Sequence, residues 1–179
     1  YDHTDGNLEL KKLFGAKVVG ASYDAHRIPG IDISLSDGDT FSIGNSQAKI
    51  ILVKGHTTGH ILWYFQEAKA LFTGDVLFNL CIGGLFEGNV EEMFTSLNRI
   101  KSLPDDVDFY PGHEYTIHGI GLAQYLEPQN LDLQKYLHDA EAKLEKGLPV
   151  CPVKLGIEKK VNPYLKAQNI EALTHIFNM

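Results

Sequence analysis

The spacing of apolar positions changes character once, near residue 114. Upstream, Asn7 to Phe14 places Leu8, Leu10 and Leu13 among polar residues and stops at Gly15, which predicts a short helix. Lys17–Val19 reads as a short strand. Ile33–Leu35, Thr40–Ile43 and Ala48–Val53 are extended segments punctuated by the turn formers Asp37-Gly38 and Gly44-Asn45. Ile61–Phe65 and Ala70–Thr73 flank Gln66–Lys69 as a hairpin would. A glycine-rich stretch, Cys81–Gly88, leads to Asn89, a helix cap with Glu92 three residues on. Met93, Phe94, Leu97 and Ile100 then repeat on one helical face. Val107–Tyr110 is one more strand, closed by Pro111-Gly112. Beyond Glu114 the pattern predicts helices over Ile117–Leu126, Asn130–Lys146 and Gln168–Phe177, separated by Pro128 and by Gly147, Pro149 and Pro152, and no further strand. These periods predict a sandwich-type α/β domain over residues 1–113 and an all-helical domain over 114–179.

Composition narrows the function classes. The 179 residues are 44% hydrophobic and 22% charged, an ordinary globular mixture with no repeat or low-complexity tract. A net charge of −7 argues against nucleic acid as a partner. No apolar run approaches the roughly 18 residues of a membrane span, and Tyr1 to Asn7 is too polar for a signal peptide. Cys81 and Cys151 cannot build a disulfide framework, which points to a reducing compartment. The expectation is therefore a cytoplasmic protein, mitochondrial being the option in a eukaryote, monomeric and without a membrane partner. The chain opens on Tyr1 without a Met, directly on a His/Asp pair, and reads as a fragment.

Five polar residues share one kind of placement. Asp2 and His3 precede the first helix. His56 follows a strand, in Gly55-His56-Thr57-Thr58-Gly59-His60; Asp75 follows another, in Phe72-Thr73-Gly74-Asp75; His113 follows a third, in Tyr110-Pro111-Gly112-His113-Glu114-Tyr115. Glycine beside each lets the backbone turn and bring a short imidazole or carboxylate arm to a common point. Imidazoles and carboxylates without thiolates suit Zn²⁺, Fe or Mn²⁺. Each alone is unremarkable, since an Asp in a Thr-Gly-Asp turn is ordinarily a turn residue. His56 and His60 are four apart, but the glycines and threonines between them make a helical ligand pair improbable. His26, His118, His138 and His175 have no comparable setting.

In that order, these motifs resemble the metallo-β-lactamase superfamily and, within it, the glyoxalase II (hydroxyacylglutathione hydrolase) family. Asp75–Phe78 (DVLF), Gly83–Gly88 (GGLFEG), His113–Thr116 (HEYT) and Asn162–Leu165 (NPYL) are similar to that family's characteristic stretches. The resemblance implies a metallo-β-lactamase αββα sandwich, incomplete at the N-terminus, followed by the helical domain. It implies two divalent metal ions: Asp2, His3 and His113 on one, His56 on the other, Asp75 bridging, and His60 behind them without binding metal. Asp2 and Asp75 are then the carboxylates at the reacting centre. The family's opening Thr-His-x-His-x-Asp-His is matched only from Tyr1 to His3, so the metal of His56 is expected to be weakly held.

The implied activity is hydrolysis of an S-(2-hydroxyacyl)glutathione, such as S-D-lactoylglutathione, in methylglyoxal detoxification. Tyr115 matches a contact to the thiol carrier. Gly84 and Phe86 stand where the family has a cation and, in some members, a tyrosine. Thr174 and Phe177 align with an Arg and a Lys of the tail, which leaves Lys159, Lys160 or Lys166 to compensate. Two other readings compete. One is an iron persulfide dioxygenase on the same fold; the other is a non-catalytic remnant with an incomplete metal site.

Overall fold

A computed structural model describes residues 2–179. Tyr1, the first position of the family-like match, lies outside the described residues. The order of elements is α1 (Asn7–Phe14), β1 (Val19–Ala21), β2 (Ile33–Leu35), β3 (Thr40–Ile43), β4 (Ser46–Val53), β5 (His60–Phe65), β6 (Ala70–Gly74), α2 (Val90–Lys101) and β7 (Asp108–Pro111). Then come α3 (Thr116–Leu126), α4 (Leu131–Leu144), β8 (Val153–Lys154), α5 (Leu155–Val161), α6 (Pro163–Lys166) and α7 (Ile170–Phe177).

Strands β3 to β8 form one six-stranded sheet in sequence order, and β1 and β2 pair in a separate parallel ribbon. From β3 to β6 every pairing is antiparallel; β6 and β7 are parallel, and β7 and β8 antiparallel. The consequence for the site is directional. β4, β6 and β7 run the same way, so their C-terminal ends share one edge of the sheet, and the N-terminal end of antiparallel β5 arrives at that same edge.

One face of the sheet is sealed by helices. Val53, Leu62, Tyr64, Leu71 and Phe109 pack with Met93, Leu97 and Ile100 of α2 in a core that continues into Leu133 and Leu137 of α4 and Leu165 and Leu173 of α6 and α7. The start of α2 is fixed as its sequence predicts. The Asn89 side chain accepts the N–H of Glu92, and the Glu92 carboxylate accepts that of Asn89.

Three features depart from the sequence reading. β1 starts two residues later than expected, at Val19. The segment beyond residue 114 contains a strand after all: β8 pairs with β7 through Asp108↔Lys154 and Phe109↔Val153. Two residues carry no period, so this strand exists only because β7 offers it an edge. The short helices α5 and α6 were also unforeseen. The second starts where the Asn162 side chain accepts the N–H of Tyr164 and Pro163 takes the first position.

Candidate metal centre

The shared sheet edge brings five of the sequence candidates together. His3, placed by the turn before α1, lies with Nε2 2.8 Å from Asp75 Oδ2 and 3.2 Å from His113 Nε2. Asp2 Oδ2 is 3.2 Å from His113 Nε2 and 3.6 Å from His3 Nε2. Asp75 Oδ2 is also 3.6 Å from both His56 Nε2 and His113 Nε2. Asp2, His3 and His113 each present a ligand atom within 4.8 Å of the others.

This arrangement fits a divalent cation on three counts. Two imidazole nitrogens facing each other at 3.2 Å match the roughly 3.3 Å expected between tetrahedral ligands about 2.0–2.1 Å from one ion. The donors are nitrogen and carboxylate oxygen with no thiolate among them. The other Asp75 oxygen, Oδ1, is buried without a hydrogen-bond partner, so it retains unused acceptor capacity. Space for that oxygen depends on Gly112, where a Cβ would come within 2.3 Å of it.

The surrounding contacts orient the donors. His56 Nδ1 lies 2.9 Å from the carbonyl of Gly84, which can only accept, so Nδ1 carries the hydrogen and Nε2 faces Asp75. The nearby Asp75 carboxylate raises the His56 pKa and outweighs burial. Burial pushes the Asp75 carboxyl up, but His56, His3 and His113 together hold it down at about 2, so it is ionised at neutral pH. His60 stands behind the cluster. Its Nε2 accepts the backbone N–H of Asp75 at 3.2 Å, and burial, reinforced by His56, lowers its pKa to about 4. A neutral ring with its lone pair turned to a backbone N–H has none to offer a metal.

Around the cluster lies a polar lip. Arg27 bonds both Asp24 and Glu87, and Glu87 accepts the N–H and the hydroxyl of Thr58 at 3.0 and 3.1 Å. A cavity of about 530 Å³, lined by His3, Asp24, Arg27, His56, His60 and Asp75 among others, opens inside it. Beside the cluster the Tyr115 ring stacks on His113 at 5.0 Å, Phe78 packs on Tyr115, and the exposed Phe86 ring lies 4.9 Å from His56.

Comparison with known proteins identifies the family. Residues 1–113 match the sequence profile of the metallo-beta-lactamase superfamily, and residues 114–178 that of the hydroxyacylglutathione hydrolase C-terminus. The hydroxyacylglutathione hydrolase of Methylococcus capsulatus is 43% identical over 95% of this chain and 66% of its own length. That of Rhodospirillum rubrum is 41% identical over 96% of this chain and 67% of its own length. The chain belongs to the hydroxyacylglutathione hydrolase family. It spans about two thirds of the length of these relatives. In fold it is similar to ETHE1 from Myxococcus xanthus, with a TM-score of 0.71 at 24% identity over 99% of this chain and 64% of that one.

The structure gives the candidate lysines partners within the chain. Lys159 and Lys160, the sequence candidates for substrate contacts, each lie beside a carboxylate. Lys159 Nζ bonds the carbonyl of Leu103 at 2.6 Å and Asp105 at 2.5 Å. Lys160 pairs with Asp132 at 3.7 Å on the rim of a separate cavity under α4. Lys166 bonds Glu127. Charge alone drew attention to these side chains; their partners lie 28 to 56 residues away and are invisible to local reasoning. Gly84 contributes its carbonyl to His56 rather than a side chain. Sequence reasoning also missed Asp24, Arg27 and Glu87; Asp24 lies three residues before Arg27, but the Arg27–Glu87 pairing spans 60 residues and leaves no local signal.

Proposed function

We propose that this chain is a metal-dependent thioesterase that hydrolyses an S-(2-hydroxyacyl)glutathione, with S-D-lactoylglutathione as the model substrate. The observation that carries this reading is the convergence of Asp2, His3, His56, Asp75 and His113 on one point at the sheet edge. Family membership supports it, through relatives named as hydroxyacylglutathione hydrolases over nearly all of the chain. Asp2, His3, His113 and Asp75 are the groups that would hold one divalent ion, and His56 with Asp75 those that would hold a second; Zn²⁺ is the first choice, Fe or Mn²⁺ the others.

Such ions supply Lewis acidity, which acidifies water toward neutral pH and polarises a carbonyl oxygen. The protein's own groups do the rest. Asp75 stays ionised at any physiological pH and keeps negative charge at the centre. Asp2, on the solvent side and within 3.2 Å of His113, is placed to take a proton from an attacking water. A thiol leaving group, with an ordinary pKa of about 8.5, departs as thiolate and needs no acid behind it. The stack of Tyr115 on His113 and the exposed Phe86 beside His56 form the two walls against which the thiol carrier lies.

Zn²⁺-loaded protein is expected to release glutathione from S-D-lactoylglutathione, to lose that activity on chelation, and to lose at least ~100-fold in kcat/KM in Asp75→Asn. Turnover that survives both chelation and the substitution would refute the proposal. Oxygen uptake on glutathione persulfide by iron-loaded protein, without thioester hydrolysis, would transfer it to dioxygenase chemistry.

A further inference from the structure

One ionisable group in the core has no part in the metal centre. Glu158, on α5, is fully buried. Its Oε2 accepts the backbone N–H of Leu80 at 3.0 Å and the side-chain amide of Asn162 at 3.1 Å. Its Oε1 has no hydrogen-bond partner, and neither has Asn79 Oδ1, while the Asn79 amide donates to the Tyr136 hydroxyl at 2.9 Å. Two bare acceptors buried in one polar cluster are costly. A proton on Glu158 Oε1 removes the cost of a buried charge and turns one of the two bare acceptors into a donor.

What this cluster holds is a segment that touches two metal-facing residues, Asp75 and His56. Asp75 opens the segment and Gly84 closes it, with the Gly84 carbonyl orienting His56. The return leg passes so near the outgoing one that a Cβ on Gly83 would lie 1.9 Å from the Asp75 carbonyl oxygen and 2.8 Å from His56 Nδ1. At its tip Leu80 has φ +61°, a left-handed conformation that a non-glycine residue keeps only where its surroundings enforce it. Glu158 takes the Leu80 N–H, and Asn162 donates to the carbonyls of Phe78 and Cys81, both at 3.3 Å. Phe78 in turn packs against His113 and Tyr115.

We propose that Glu158 acts as a neutral acid that pins the tip of the Asp75–Gly84 segment, so that α5 sets the positions of Asp75 and His56 from the far side of the core. Glu158 is thus a positioning residue, and its effect on metal binding rests on the metal-centre reading above. Burial outweighs the hydrogen bonds from Leu80 and Asn162 and the nearby polar groups of Tyr136 and Asn79, and pushes its carboxyl up to about 7. The ionisable groups facing the cluster are the Tyr136 phenol from α4 and the Cys81 thiol from the pinned segment. Burial first, with Glu158 and then Glu114 adding, pushes both upward, so they are neutral at physiological pH. Because the folded value lies above the unfolded one, the proton stabilises the fold fully below about pH 4.5, and that contribution is lost as pH rises through about 7.

The test uses metal-free and Zn²⁺-loaded protein with Glu158→Gln and Glu158→Ala. Infrared spectra of the metal-free parent at pH 5.5 should show a buried carboxylic-acid band that Glu158→Gln lacks. Relative to Glu158→Gln, the parent should gain stability to urea as the pH falls from about 7 to 4.5. Glu158→Gln, neutral and of the same shape, should keep the parent's Zn²⁺ affinity at pH 6, whereas Glu158→Ala should lose roughly 10–100-fold. An unchanged acid band in Glu158→Gln overturns the neutral acid, and unchanged affinity in a folded Glu158→Ala overturns the pin. Should Glu158→Ala not fold, the band and the pH comparison on Glu158→Gln decide the proposal. A parent that binds no Zn²⁺ overturns the metal-centre reading and the pin with it, while the infrared band still decides the proton.

Discussion

At His60 one ring nitrogen accepts the N–H of Asp75 while burial keeps the ring neutral down to about pH 4. Replacing it with alanine bares that N–H and frees the Asp75 backbone to shift. His60→Ala is therefore expected to weaken Zn²⁺ binding by roughly 10–100-fold, read by competition with a chelator. The ring also contributes to pH dependence with a definite sign. Its folded pKa lies below the unfolded 6.5, so its stabilisation is complete above pH 6.5 and is lost as pH falls through about 4. This slope opposes that of Glu158 over the same window, so Glu158→Gln should destabilise toward acid more steeply than the parent in urea titrations. At this scale the sequence was informative where chemistry and turn formers coincide. His56, Asp75 and His113 each follow a strand beside a glycine, and that signature is local. Lys159 and Lys160 advertised charge, but Asp105 and Asp132 decide where those charges go, and neither partner is a neighbour in sequence.

Among the elements, α2 shows local signals and tertiary packing in agreement. Its capping box was readable from Asn89 and Glu92, and its buried face from Met93, Leu97 and Ile100. Asn89→Ala removes one half of the reciprocal cap and should cost about 1 kcal/mol, seen as a lower urea midpoint at unchanged slope. Metal affinity should hardly move, since no metal-facing side chain rests on that cap. β8 and α5 stand at the other extreme. Val153–Lys154 becomes a strand because the free edge of β7 accepts it, and α5 follows at once with Lys154 at its start and no side-chain cap. Glu158 reads in sequence as one acidic residue beside two lysines. Only the folded chain shows it turned inward to Leu80, 78 residues upstream.

For the whole molecule, the direction of the strands is what makes a site. Because β4, β6 and β7 all end at one edge and β5 begins there, His56, Asp75, His113 and His60 meet although only His56 and His60 are near one another in sequence. The alternation of strands and glycine-flanked ligands was visible in the sequence; the common edge follows from the pairing, which the sequence does not state. The helices behind the sheet then have two tasks, sealing the core and, through Glu158 and Asn162, gripping the segment between Asp75 and Gly84. The most direct test of the account is X-ray absorption at the zinc edge on Zn²⁺-loaded parent and Asp75→Asn. The account predicts nitrogen and oxygen neighbours only, with imidazole scattering from His3 and His113, and loss of stoichiometric zinc in the variant. A sulfur neighbour, or an identical zinc environment at full occupancy in Asp75→Asn, would contradict it.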